Sequence, residues 1–123
     1  MKIREVNENK KQFISLLLLA DEQESMVDRY LEKGTMYVLE DNDVKAECVV
    51  TEEGNEILEI KNIAVDPENQ GKGYGKALID FLQVVGQIKV LVNSLIFYLL
   101  LRNGHGFPKG PTFAGIQNPA KCV

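Results

Sequence analysis

Histidine and cysteine are nearly missing from this chain, which holds one His and two Cys among 123 residues. That scarcity closes off several chemistries. His105 sits between Gly104 and Gly106, far in sequence from Cys48 and Cys122, so no metal-ligand spacing exists and no metal is expected. Ser/His/Asp and Cys/His arrangements for nucleophilic catalysis do not stand out either. Cys48 falls in a strand pattern and Cys122 at the chain end. Two such cysteines make no disulfide framework and point to a reducing, cytoplasmic setting. Lys2, Arg4 and Glu5 open the chain without an apolar run, so no targeting signal is expected. The stretches Phe13–Ala20 and Val90–Leu101 are both too short to span a bilayer, and no membrane association is expected. A net charge of −4 offers no basic footprint for nucleic acid.

The most uneven absence is that of acid. All 18 Asp and Glu fall in positions 1–80 and none in 81–123. Spread evenly, they would leave so long a stretch empty about once in a thousand chains of normal composition. Positions 1–80 carry 10 Lys and Arg against those 18 acids, a net −8, whereas 81–123 carry only Lys89, Arg102, Lys109 and Lys121, a net +4. The chain changes character just inside its most distinctive helix.

What is present reads as one domain over residues 1–123, with the 45% apolar and 26% charged content of an ordinary globular protein. Lys2–Val6 suits a short strand. Lys10–Ala20 follows as a helix capped by Asn7 or Asn9, with Phe13, Leu16, Leu17 and Ala20 on one face. Asp21–Lys33 gives a second helix with Met26, Val27, Tyr30 and Leu31 inward and Gly34 as its stop. Thr35–Glu40, Val44–Thr51 and Glu56–Val65 are strands joined by turns at Asp41-Asn42-Asp43 and at Glu52–Asn55. Within the second of these, Val44, Ala46, Cys48 and Val50 face one way and Lys45, Glu47 and Thr51 the other. Three glycines at alternate positions, Gly71, Gly73 and Gly75, then lead into a helix whose apolar stripe is Tyr74, Ala77, Leu78, Phe81, Leu82 and Val85. Ile88–Val92 suits a fifth strand parallel to the fourth. After Phe107, Pro108-Lys109-Gly110-Pro111 breaks any regular element, and no closing strands are expected.

A strand, a glycine-rich loop and a helix start together make an anion site: the first helical amides lack partners and glycines admit close approach. The spacing is neither the dinucleotide fingerprint nor a P-loop. Gln70-Gly71-Lys72-Gly73-Tyr74-Gly75 resembles the Gln/Arg-x-x-Gly-x-Gly/Ala signature of the GNAT N-acetyltransferase superfamily, and Asn62-Ile63-Ala64-Val65-Asp66-Pro67 looks like that family's fourth strand. The joined pattern covers about 25 residues and is far more specific than either half.

The resemblance implies an α/β (α+β) GNAT fold, a mixed, mostly antiparallel central sheet flanked by helices, with an atypical or incomplete C-terminal part. It implies an N-acetyltransferase moving an acetyl group from acetyl-CoA, its co-substrate, to a primary amine of a small molecule or protein. In such a protein the amides of Gln70, Gly71, Lys72, Gly73, Tyr74, Gly75 and Lys76 would hold the pyrophosphate, with charge added by Lys72 and Lys76. Backbone groups of Ile63, Ala64 and Val65 would polarise the thioester and pair with the pantetheine arm. Glu59 matches the position of a glutamate base in several family members, although strands also carry solvated glutamates. Tyr98 is the candidate acid for the thiolate, with a core tyrosine as the alternative. The resemblance breaks further on: Asn93, Phe97-Tyr98 and Gly106-Phe107 are present, but Arg102 stands where the family's tyrosine belongs. A divergent tail, an insertion of about one helical turn or a reading-frame shift near 83–88 each accounts for this; the loss of acids favours the shift. A catalytically inactive CoA-binding module, or an incomplete fragment, is the competing function. A sheet left without closing strands would self-associate, as a homodimer in the simplest case.

Overall fold

The computed structural model describes residues 1–54, 57–86, 89–93 and 113–117. Its elements run β1 (Lys2–Val6), a 3-10 turn (Lys10–Phe13), α1 (Ile14–Ala20), α2 (Glu24–Leu31), β2 (Thr35–Asp41), β3 (Asp43–Glu52), β4 (Ile57–Val65), a second 3-10 turn (Pro67–Asn69), α3 (Tyr74–Gly86), β5 (Lys89–Asn93) and β6 (Phe113–Gln117). The strands form one sheet in chain order, β1 to β6. Neighbours from β1 to β4 are antiparallel, whereas β4–β5 and β5–β6 are parallel. The sheet is therefore mixed and mostly antiparallel, as expected.

Each face of the sheet carries its own core. One is closed by α3: Leu78, Ile79 and Leu82 pack on Leu39, Ala46, Cys48, Val50, Ile60 and Ile63. The other is closed by α1 and α2: Leu17, Val27, Tyr30 and Leu31 pack on Val6, Met36, Val38 and Val49. With both faces covered, the polar-outward alternation expected of β3 does not hold. Two β-bulges, at Leu39/Glu40 and at Val49/Val50, further shift the register, because an extra residue on one strand reverses which face its neighbours meet. Glu47 keeps the face expected of it, opposite Ala46, Cys48 and Val50, and is fully buried because α1 and α2 close that face. The bulge beside Leu39 instead turns Val44, expected with Ala46, to the α1/α2 core.

Three other expectations change. The first helix opens as a 3-10 turn, and Asn9 precedes it in the left-handed region at φ 49° without a side-chain cap. Gly34 does follow α2, but the reason is space rather than conformation: a Cβ there would meet Val49 Cγ1 at 2.8 Å and the carbonyls of Tyr30 and Val50 at 2.9 Å. Lys10 Nζ donates to the carbonyls of Leu31 (2.9 Å) and Gly34 (2.8 Å), closing the end of α2 with a cation from outside the helix. Finally, Phe113–Gln117 forms a strand beside β5 where none was expected. Five residues containing a glycine behind a proline show no clear alternation, and their parallel partner supplies the order.

Candidate functional site

The loop from β4 to α3 is built to expose backbone amides. Asp66 accepts from the Glu68 amide at 3.1 Å, turning the chain as β4 ends. Gln70 Nε2 then donates to the Val65 carbonyl at 3.3 Å, folding the loop back on the strand. Gly71 and Gly73 lie at φ 81° and 87°, where L side chains are strained, and a Cβ on either would meet nothing within 4 Å. Their glycine requirement is conformational, and the space beside them is open. The first intrahelical bond of α3 runs from the Ala77 amide to the Gly73 carbonyl, 3.0 Å. The amides of Tyr74, Gly75 and Lys76 come before it, so they lack helical partners and add the positive end of a 13-residue helix.

The side chains around this loop divide in role. Lys72 Nζ donates to Asn69 Oδ1 at 3.1 Å, a neutral partner that leaves its charge uncompensated beside the loop. Lys76 instead pairs with Asp80 at 2.8 Å on an exposed helix face. Tyr74 turns its ring away: its hydroxyl donates to Asp41 Oδ2 at 2.7 Å, which raises its pKa and leaves only its backbone amide facing the loop.

Beside the loop the sheet opens. Among the described residues β5 pairs with β4 over Ile57–Ile60, whereas β4 continues to Val65 with β3 as its partner on the other side. Ile63, Ala64 and Val65 therefore follow the end of the parallel ladder, and alternate amides there point away from β3. Ile63 and Val65 bury their side chains under α3, so their backbone is what they can offer. The bulge sits where the opening begins. Val50 opposes Ile60 and Val49 opposes Asn62, leaving Lys61 as the extra residue.

On the α1/α2 face of this opening lies a polar cluster. Glu59, the candidate base, is only 1% exposed, so the solvated alternative does not hold. Its Oε2 forms an ion pair with Lys61 Nζ, without hydrogen-bond alignment. Asn62, which sequence reasoning did not single out, donates from Nδ2 to the Leu17 carbonyl and to Tyr30 Oη, both at 2.9 Å. Tyr30 Oη in turn donates to Asp21 Oδ2 at 3.2 Å, and burial pushes its pKa up. An asparagine inside the run Ile60 to Val65 was the available signal, since buried amides persist where they are bonded. Glu47 is buried with both carboxylate oxygens unpartnered, and that burial raises its pKa well above the ordinary value. Tyr98, the candidate acid, lies outside the described residues, as does His105. Among the described residues, no group of three His, Cys, Asp or Glu could hold a metal, and no helix is long and apolar enough to cross a membrane.

A cleft of about 550 Å³ opens on the same side, between α2, the end of β3 and Lys61 in the middle of β4. Arg29, Tyr30 and Lys33 form one wall, Thr51, Glu52 and Glu53 another, and Lys61 lies among its lining. Lys61 thus joins the cleft to Glu59 and to the start of the β4–β5 opening. One side of the sheet opening offers amides for an anion, and the other a cleft leading to a buried carboxylate.

Comparison with known proteins matches residues 32–105 to the acetyltransferase (GNAT) domain family. An uncharacterized N-acetyltransferase of Bacillus subtilis, YvbK, is 40% identical over 73 residues; that match takes in 58% of this chain and 47% of the relative, so the chain spans about half of that protein. Among solved structures, a GNAT family acetyltransferase from Elizabethkingia anophelis with acetyl-CoA bound superposes with a TM-score of 0.71 at 28% identity, covering 89% of this chain and 76% of the other. An IAA acetyltransferase from Bacillus cereus gives 0.70 at 32%, covering 87% and 76%. A Bacillus subtilis acetyltransferase in complex with CoA gives 0.67 at 31%, with the same coverage.

Proposed function

The chain belongs to the GNAT acetyltransferase family, and on that premise we propose that it is an N-acetyltransferase using acetyl-CoA to acetylate a primary amine of a small molecule or protein. The observation that carries this reading is the adjacency of two things: the amide-lined loop at Gln70–Gly75 and the opening where β4 outruns β5. Pyrophosphate would lie on the amides of Gly71 to Lys76, with Lys72 adding charge. The pantetheine arm would run along Ile63–Val65 as an added strand, its thioester carbonyl polarised by amides there. The Elizabethkingia and Bacillus subtilis structures, with acetyl-CoA and CoA respectively, support the choice of ligand. A cytoplasmic location and self-association as a homodimer belong to the same proposal.

Glu59 acts in this reading as the base that takes the acceptor's proton, with Tyr98 as the acid that returns one to the thiolate. Glu59→Gln keeps size and strand but removes the proton acceptor. Turnover, followed by free-thiol release, should fall by roughly 10²-fold or more, and less at high pH, where free amines need no base. CoA affinity should hardly move. Undiminished turnover at neutral pH would show that proximity alone suffices. A second reading, a CoA-binding module without transfer, draws on the same residue: a base 1% exposed and already paired with Lys61 must give up that partner to work. Binding of CoA with no thiol release against any amine would favour it.

A further inference from the structure

The ion pair at the inner end of the cleft carries information about the acceptor, on the reading of the site as an acetyltransferase. Lys61 presents a primary ammonium to the buried Glu59, and an arriving acceptor must present the same group to the same carboxylate. A second primary ammonium beside Lys61 would leave two cations on one buried carboxylate, so the acceptor takes the place of Lys61. The released Lys61 then faces a cleft that already holds Arg29 and Lys33. Neither of these makes an ion pair among the described residues: Lys11 takes Glu24 and Asp28, the acids of α2, at 2.9 and 2.6 Å. Glu32, also beside them in sequence, is not part of the cleft lining. Across the cleft, Glu52 and Glu53 face them, and Glu53 already accepts from Thr51 Oγ1. The α2 side of the cleft is cationic, and Lys61 on β4 adds a third unpaired cation to the cleft when the acceptor's ammonium takes its place on Glu59.

We propose that the acceptor is a small primary amine that also carries a carboxylate, its ammonium end on Glu59 and its carboxylate held by Arg29 and Lys33. Arg29 suits this task because its guanidinium meets a carboxylate with two parallel hydrogen bonds. A volume of about 550 Å³ is in the range that encloses a small molecule. In the reaction the ammonium gives one proton to Glu59, which passes it to water. The amine lone pair attacks the thioester carbonyl carbon, a C–N bond forms and the C–S bond breaks. The thiolate takes a proton from the acid of the proposed function, and the second N–H proton replaces it there. The products are the N-acetylated acid, CoA thiol and one released proton.

The test measures binding, so it stands whether or not transfer occurs. Calorimetric titrations of the full chain, with and without saturating CoA, compare lysine with cadaverine and phenylalanine with phenethylamine, pairs that differ only by the carboxylate. The carboxylate-bearing member should bind about tenfold or more tightly in at least one pair, a difference of about 1.4 kcal/mol. Arg29→Gln with Lys33→Gln should erase that preference and leave CoA affinity unchanged, while Arg29→Lys with Lys33→Arg should keep most of it. Equal or tighter binding of the decarboxylated partners, no binding of either member up to millimolar concentration, or a preference that survives the double Gln variant would overturn the proposal. Carboxylate preference without thiol release would instead leave the acceptor class standing and remove the transferase reading.

Discussion

At the scale of the residue, Glu47 is the least expected finding. Alternation along β3 reads it as solvated, because one sequence cannot show that helices cover both faces. Val38 and Ala64 lie opposite it on β2 and β4, the Tyr30 hydroxyl reaches the same face from α2, and Asn62 Oδ1 is left without a donor. A carboxyl so placed is held neutral by desolvation, its pKa well above the ordinary 4.5. The sign follows directly. Below 4.5 both folded and unfolded chains hold the proton; above it the unfolded chain loses the proton first, so rising pH costs stability until the folded group ionises too. Glu47→Gln removes that penalty. Its stability gain over the parent should grow as pH rises above 4.5, with a slope approaching about 1.4 kcal/mol per pH unit while the folded carboxyl stays protonated, measured by urea unfolding at several pH values. A gain independent of pH would mean that Glu47 is ionised in the fold. Glu59 teaches a related lesson: its position on β4 is legible from the sequence, but its burial against Lys61 is not, since a residue two places along a strand becomes a partner only when that face is closed.

Among the elements, those carrying a strong local pattern were read correctly and those relying on distant partners were not. The i, i+3, i+4 stripe of α3 and the glycines ahead of it are local signals. Tyr74, Leu78 and Leu82 are buried and Gly71 and Gly73 precede the helix as expected, whereas Gly75 lies inside it. β5 was placed to within a residue, because a helix crossover constrains where a parallel strand returns. β6 was missed, since its order comes from β5 rather than from its own five residues. Gly34 shows the same division. Its place at the end of α2 was legible, but its cause is the approach of Val49 and Val50 from β3. Gly34→Ala should therefore cost about 1–3 kcal/mol, the range for forcing a methyl into packed space, seen as a lower urea midpoint with unchanged slope. A change of only a few tenths would show that β3 can yield there and that helix-end conformation, not space, sets the residue.

Viewed as a whole molecule, the chain joins an acidic segment, 1–80, to an acid-free one, and the join falls inside α3. We propose a change of reading frame as the source of that asymmetry. Mass spectrometry of the native product, with resequencing of its gene, should show a different residue series downstream; an identical series would remove the proposal. In-register pairing of β5 with β4 and a family match continuing to residue 105 weigh against a change ahead of residue 89. The first four strands and the glycine loop were legible because strand, turn and helix signals agree there. The acceptor side was not, because it is assembled from α2, β3 and β4 across a register shift. The amide-lined loop carries the proposed cofactor site, so calorimetric titration of CoA against the parent and Gly73→Asp tests it most directly. The parent should bind in the micromolar range, about −8 kcal/mol. In the variant a carboxylate enters the anion site, and a side chain is forced to φ near 87°, so binding should vanish while far-ultraviolet circular dichroism shows a folded chain. A folded Gly73→Asp protein with unchanged CoA affinity would contradict the account.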